Sequence, residues 1–431
     1  MPNIWKKLGP GILLAATSIG ASHLVHAPRA GALFGFNLLW LVLASHLFKY
    51  PAFEFGPRYA AATGQHLLQG YARVPGPRNW ALYLFLLSTV LQGIGVLAAV
   101  VNVSGCVIAT WTGDPGAPVG LGVTRAELFS LGVIALVLQL IVAGGFNWLD
   151  HINKLMMAIL AIATVMAFVP VLPEPSAAAR LVIPSLPEGS IVLVAAILGW
   201  MPTGIDVSVW HSFWTLEKLR TLGEDTRSSS ATDHLRQLRT SLTDMRVGYG
   251  MSLLTGTMFL CLGAAHLTGR GAELSGVQFA EAISTAYTAI LGRWMYHVFM
   301  LTAFFAMFST SYVVIDGFSR SFSEALAVIR PGLSSDRTKR KTLWGFMFFS
   351  AAFAAVMIVK VGNPVTLVIA ASLVSLAAAP VLYGLSLHCV QRHIKDPRMK
   401  PHKLTVVVGW LGVAFVAAAL GVTIYSKFLS S

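Results

Sequence analysis

The sequence predicts an all-α membrane protein of about eleven transmembrane helices, the first and sixth of them discontinuous, and three observations predict it. Of the 431 residues, 55% are hydrophobic and 11% charged, a balance that a water-soluble domain of this size does not keep in solution. Apolar stretches of bilayer-crossing length, roughly 20 residues each, recur along nearly the whole chain and leave no region for a soluble domain. Proline and glycine with polar neighbours interrupt two of those stretches, five spans apart. A single membrane domain over 1–431 is expected.

The spans are expected near 10–29, 33–60, 80–110, 126–146, 150–172, 190–215, 246–268, 290–322, 342–360, 364–391 and 403–427. The first follows Lys6 and Lys7, the basic start of a secretory signal, but the many later spans argue against cleavage. It runs Gly9-Pro10-Gly11, stays apolar to Thr17, and continues Ser18-Ile19-Gly20-Ala21-Ser22-His23, then His26, Pro28 and Arg29. The second carries His46, Lys49 and Glu54, which toward a cytoplasmic end are expected to snorkel. Gln92 and Asn102 in the third are expected to hydrogen-bond between helices. The sixth reads Leu198-Gly199-Trp200-Met201-Pro202-Thr203-Gly204-Ile205-Asp206 and continues to Trp210 and His211. A polar connection over 218–244 follows, expected to be helical in part between 233 and 246. After the seventh span, 271–289 is too polar and too short to cross and is expected as an amphipathic helix on the outer surface. The eighth is long and carries Ser309, Thr310, Ser311 and Asp316, whose lone carboxylate would need a partner or a proton. The remaining spans are read from length and apolarity alone. Cys106, Cys261 and Cys389 lie far apart in hydrophobic segments, with no CxxC pair, and are expected as packing residues.

Placement of charge sets the orientation. Lysine and arginine, 31 against 18 acidic residues, gather at Lys6 and Lys7, at Arg73 and Arg78, and within 218–246, 337–341 and 392–403. By the positive-inside rule these segments face the cytoplasm, and the connections at 114–125, 174–188, 270–281 and 360–364 face outward. A cytoplasmic N-terminus and an odd number of spans put the C-terminus outside the inner membrane. The basic excess is thus a topology signal and calls for no nucleic acid.

The two interrupted spans carry the functional reading. A broken backbone inside a membrane is tolerated only where it is buried or lines a cavity, because lipid cannot satisfy the freed amides and carbonyls. Half-helices starting near Ser22 and Thr203 would aim positive dipole ends at the midplane, while carbonyls released from the preceding halves would offer acceptors to a cation. First and sixth are also the partner positions of transporters built from inverted five-helix repeats, here about 8–172 and 188–391, with an extra helix at about 403–427.

Gly9-Pro10-Gly11 through Gly31-Ala32 to Leu38-Leu39-Trp40, Met201-Pro202 in the sixth span and Gly292-Arg293-Trp294 before the eighth together resemble the Nramp family of divalent-metal transporters, in order and spacing over nearly the whole chain. The resemblance implies a LeuT-like fold of inverted 5+5 repeats and metal import coupled to protons. It also locates departures. The family's DPGN motif falls on Gly20-Ala21-Ser22-His23, so Gly20 stands at the aspartate that ligates the metal and His23 at the asparagine. Its MPHN motif reads Met201-Pro202-Thr203-Gly204, keeping the thioether and replacing the histidine by Thr203. A glutamine of span ten that approaches the metal falls near Ser372.

A hard divalent ion wants several anionic or carbonyl oxygens, and Gly20 supplies no charge. His23, Met201 and Asp206 are therefore the candidate metal ligands, suited to a softer first-row ion, within a substrate site of Gly20, Ser22, His23, Met201, Thr203, Gly204, Asp206 and Ser372. His26, Arg29, His211 and Asp316 are candidates for proton movement or coupling, with Asp206 and His211 assigned to the outer half of span six and Asp206 expected to pair with Arg29 or His26. The expected function is secondary transport, by alternating access, of a divalent metal ion in symport with protons. The alternative is a small organic or anionic solute carried by the same fold, favoured by the missing aspartate and by Arg29. Enzyme activity is not expected, for the chain carries no nucleophile motif, HExxH or P-loop. No cofactor is expected, and the partners are the transported ion or solute, protons and the lipid bilayer.

Overall fold

A computed structural model describes residues 10–428 apart from 121, 145, 223–230 and 272. Among the described residues every regular element is helical, and an isolated bridge between Pro118 and Thr124 is the only strand-like pairing. The first half of the chain forms α1 (Pro10–Ser18), a wide π turn (Ser22–His26), α2 (Ala27–Phe34), α3 (Leu39–Thr63), the short α4 (Leu67–Tyr71), α5 (Trp80–Thr112), α6 (Arg125–Ala143), α7 (Phe146–Phe168) and the single turn α8 (Pro175–Ala178). The second forms α9 (Ile191–Trp200), α10 (Val207–Thr221), α11 (Ala231–His266), α12 (Phe279–Leu291), α13 (Met295–Ile329), α14 (Asp336–Val361), α15 (Pro364–His393) and α16 (Lys403–Phe428).

Among the described residues eight helices are long and apolar enough to cross a membrane, and they hold the second, third, fourth and seventh to eleventh expected spans. The fifth lies in α7 and the segment after it, where the chain bends by 115°. The first and sixth fall short as single helices because each is divided. Span six stops at Trp200 and resumes at Val207. Span one is interrupted at Ile19 and Gly20 and then widens into the π turn, an interruption gentler than a fully unwound gap. The seventh span reaches well beyond its expected start, since α11 runs 36 residues and begins inside the polar connection. The segment 279–291 is helical, with Phe279, Ile283 and Tyr287 on its buried face, and all three cysteines are buried and unpaired.

Small residues let the central helices touch backbone to backbone. A methyl group on Gly11 would lie 1.9 Å from the Asp244 carbonyl oxygen, and one on Gly248 would lie 1.9 Å from that of Gly11. Beyond the break, Gly31 and Gly263 repeat this seam between α2 and α11. Asp244 also accepts a 2.9 Å bond from the Gly11 amide, placing a carboxylate at the start of α1, where the first amides lack helical partners.

Candidate functional site

Proline at 202 has no amide proton to continue α9, and the last helical bond there is Met201 N–H to Ile197 O at 2.7 Å. Residues 201–206 then run irregularly to α10. The carbonyls this break releases are not vacant. The Lys49 Nζ donates to the oxygens of Thr203 at 2.8 Å, Met201 at 2.9 Å and Leu198 at 3.1 Å, with Gly199 at 3.5 Å. Lys49 is 0% exposed, so the expected snorkelling does not occur. It sits near the middle of the 25-residue α3, too far from either end to reach headgroups. Glu54 is likewise turned inward, held by Arg58 at 2.7 Å and approached by Arg246 at 3.8 Å.

On the other side, Ser22 Oγ lies 3.4 Å from the Pro202 carbonyl oxygen, so the two interruptions touch. Ser22 Oγ is also 2.8 Å from His23 Nδ1, and His23 Nε2 lies 2.9 Å from the Ser252 carbonyl and 3.1 Å from its hydroxyl. That hydroxyl is 3.0 Å from His46 Nε2, while His46 Nδ1 donates to the Val42 carbonyl at 2.8 Å. Because a carbonyl only accepts, the neutral rings donate from His23 Nε2 and His46 Nδ1, and their other nitrogens accept from the hydroxyls of Ser22 and Ser252. A directed chain of buried hydrogen bonds thus leads from the break of span one to α3.

A cavity of about 30 Å³ lies between the breaks, its polar lining including Ser22, Gln92, Thr203, Asp206, Thr310 and Ser375, with Trp200, Trp210 and Phe318 among its walls. A buried water needs about 10–15 Å³ of such space, so the cavity is large enough for water or an ion. Asp206, 4% exposed, is the carboxylate in this lining. Its charged neighbour is Lys49, and the expected pairing with Arg29 or His26 does not form. Instead His26 Nε2 donates to Ser372 Oγ at 2.8 Å, which itself donates to the Val368 carbonyl.

Gly204 lines the cavity beside Thr203; Gly20, His23, Met201 and Ser372 do not. A methyl group on Gly20 would come within 2.9 Å of Thr310 Oγ1. His23 Nε2 and the Met201 methyl both face Gly256 of α11, 3.2 and 3.4 Å from the point where a methyl group there would sit. Asp206 and His211 lie on the half of span six that continues into α10 and the connection rich in Lys and Arg, which the charge pattern puts on the cytoplasmic side; the outer-half assignment is corrected accordingly. His211 is buried against Trp214, with neither ring nitrogen hydrogen-bonded. Asp316 is not a lone carboxylate, since Arg320 one turn on pairs with it at 3.1 Å, and Arg320 lines a second, polar cavity with His66, Glu217 and Glu324. Among the described residues no three His, Cys, Asp or Glu side chains converge as a metal cage. Sequence reasoning missed Ser252 as the bridge between two histidines and misplaced Lys49; the signal for Lys49 was its distance from both ends of an apolar helix.

A family model described as natural resistance-associated macrophage protein-like matches residues 11–426. The chain belongs to the Nramp family. An uncharacterised protein of Pasteurella multocida is 30% identical to it over 332 residues, 75% of this chain and 71% of that protein. A protein of Chromohalobacter salexigens named as a divalent metal cation transporter is 26% identical over 269 residues, 61% of this chain and 58% of its own. In fold, a solved mutant of the Eremococcus coleocola manganese transporter matches 97% of this chain and 86% of its own with a TM-score of 0.68 at 14% identity. A nucleobase-cation-symport-1 family transporter in a closed conformation matches 97% and 93% with a TM-score of 0.55, also at 14% identity. The protein is thus a multi-pass membrane transporter of LeuT-like fold. Lys49 stands on the carbonyls of the span-six break, close to the positions Gly20, His23 and Thr203 that the resemblance sets against the family's two motifs.

Proposed function

We propose that the protein is a secondary transporter that carries a divalent metal ion across the inner membrane by alternating access, coupled to protons, with its N-terminus in the cytoplasm and its C-terminus outside. The observation that carries this reading is the cavity between the two breaks. It lies where the two interrupted spans meet, and the groups it offers a cation are oxygens of Asp206, Ser22, Thr203 and Thr310. Such donors suit hard and borderline cations. Relatives named as metal transporters support the same class. Asp206 anchors the ion in this proposal, and Met201 and His23, which meet at Gly256 behind the cavity wall, join it as the repeats at 8–172 and 188–391 move. The hydrogen-bonded chain Ser22–His23–Ser252–His46 and the neighbouring His26 are its route for protons.

The test is uptake by proteoliposomes of manganese, iron, cadmium, magnesium and calcium, with and without an inward proton gradient. Gradient-stimulated uptake of at least one transition metal is expected. No flux of any of the five ions would overturn the reading, and a thermal-shift screen with carboxylates, amines and amino acids would then decide for the solute alternative.

A further inference from the structure

We propose that Lys49 is a resident cation: its ammonium fills a ring of backbone carbonyls in the span-six break that, without it, binds a free monovalent ion of ammonium or potassium size. The inference goes beyond the choice of cargo and does not depend on it. An ammonium group has three N–H donors, and three carbonyl oxygens stand at 2.8, 2.9 and 3.1 Å from Lys49 Nζ. All three belong to residues 198–203, where α9 ends and its last carbonyls have no helical partners. The end of a helix also concentrates negative dipole charge, so the ring attracts a cation before any side chain contributes. The carboxylate of Asp206, whose charge acts on Lys49, adds to the attraction.

The ring's dimensions select its occupant. Magnesium sits in oxygen cages at about 2.0–2.1 Å and calcium at about 2.3–2.6 Å, both tighter than the 2.8–3.1 Å measured here. Uncharged carbonyls also suit a monovalent ion better than a doubly charged one, as they do in potassium filters. A buried charge at 0% exposure survives only with its hydrogen bonds made, and here they are made by backbone that must itself be satisfied inside a membrane. Lysine and break therefore satisfy each other, and the transporter holds its sixth span in shape without borrowing a sodium or potassium ion from solution.

Thermal unfolding of the full-length protein in detergent tests this, with choline, sodium, potassium, ammonium or methylammonium chloride at matched ionic strength and no divalent metal present. The wild type should unfold at the same temperature in all five salts. The variant Lys49→Ala should unfold several degrees lower in choline and recover in a saturable, dose-dependent way in ammonium, methylammonium or potassium. Lys49→Met, which fills the space without charge, should show no such recovery and should lose most substrate uptake. A folded Lys49→Ala protein indifferent to the salts, a wild type that responds as strongly as the variant, or wild-type uptake by Lys49→Met would each overturn the proposal. If Lys49→Ala yields no folded protein in choline, purification in ammonium should restore it, and failure there counts against the idea. The unfolding measurements need no cargo, so loss of the cargo reading would remove only the uptake comparison of Lys49→Met and leave the salt results intact.

Discussion

Asp206 and Gly20 show at the level of single residues how the centre has been rebuilt. Asp206 is the carboxylate of the cavity lining, so Asp206→Asn should lower metal uptake by about tenfold or more, as expected when one hydrogen-bonded charge of a desolvated site is removed, while circular dichroism stays unchanged. Wild-type kinetics would mean that the ion bypasses this side chain. At Gly20 the family's aspartate cannot simply be restored, because its first side-chain carbon would press on Thr310 Oγ1 at 2.9 Å. Gly20→Asp alone should therefore lower the unfolding temperature, and Gly20→Asp with Thr310→Ala should recover it and bind manganese more tightly by calorimetry than the wild type. His23→Ala removes the ring that links Ser22 to Ser252, while the Ser22 hydroxyl keeps the Ser18 carbonyl at 3.0 Å and the Ser252 hydroxyl keeps His46 Nε2 at 3.0 Å; it should cost about 0.5–1.5 kcal/mol of stability per lost bond and impair uptake. Asp206 and His23 stood out as candidates in the sequence because a charge and an imidazole lie beside helix-breaking residues, and of the two Asp206 lines the cavity. Lys49 was misread because sequence shows a side chain but not the carbonyls that another segment brings to it, and Ser252 was missed because a serine in an apolar helix carries no signal until its neighbours are known.

Among elements, the interruptions were foreseeable from glycine and proline only in outline. Pro202, between Gly199 and Gly204, announced a stop in span six, whereas span one, with no proline between Gly11 and Pro28, does not unwind and instead takes a π turn at Ser22–His26. The helix expected in part between 233 and 246 proves continuous with the seventh span in α11, whose polar first half packs against the start of α1 at Gly11. That packing is testable. Gly248→Ala would set a methyl group 1.9 Å from the Gly11 carbonyl oxygen, so the helices must part, with an expected loss of about 1–3 kcal/mol seen as a lower unfolding temperature. Gly250→Ala, two residues on, meets nothing within 4 Å and should leave that temperature unchanged.

For the whole molecule, hydropathy and charge disclosed most of the architecture, because lipid forces every spanning segment to be apolar and helical whatever its tertiary role. The same generality hid the divided spans from a count by length, since neither half of span six is long enough to register as a crossing. The orientation proposed from charge can be checked with exposed positions, given that the native cysteines are buried. Ser335→Cys, before α14, should react with an impermeant maleimide only from the cytoplasmic side, and Thr268→Cys, after α11, only from outside; the reverse pattern would invert the topology.

The glycine seams impose one further condition on how such a molecule could move. Unbroken over 36 residues, or about 54 Å at 1.5 Å per residue, α11 is fastened to span one on both sides of its interruption. It acts as a splint across a fracture. The two pieces of span one cannot swing apart while both seams hold, so access from either face requires one seam to unfasten while the other carries the load.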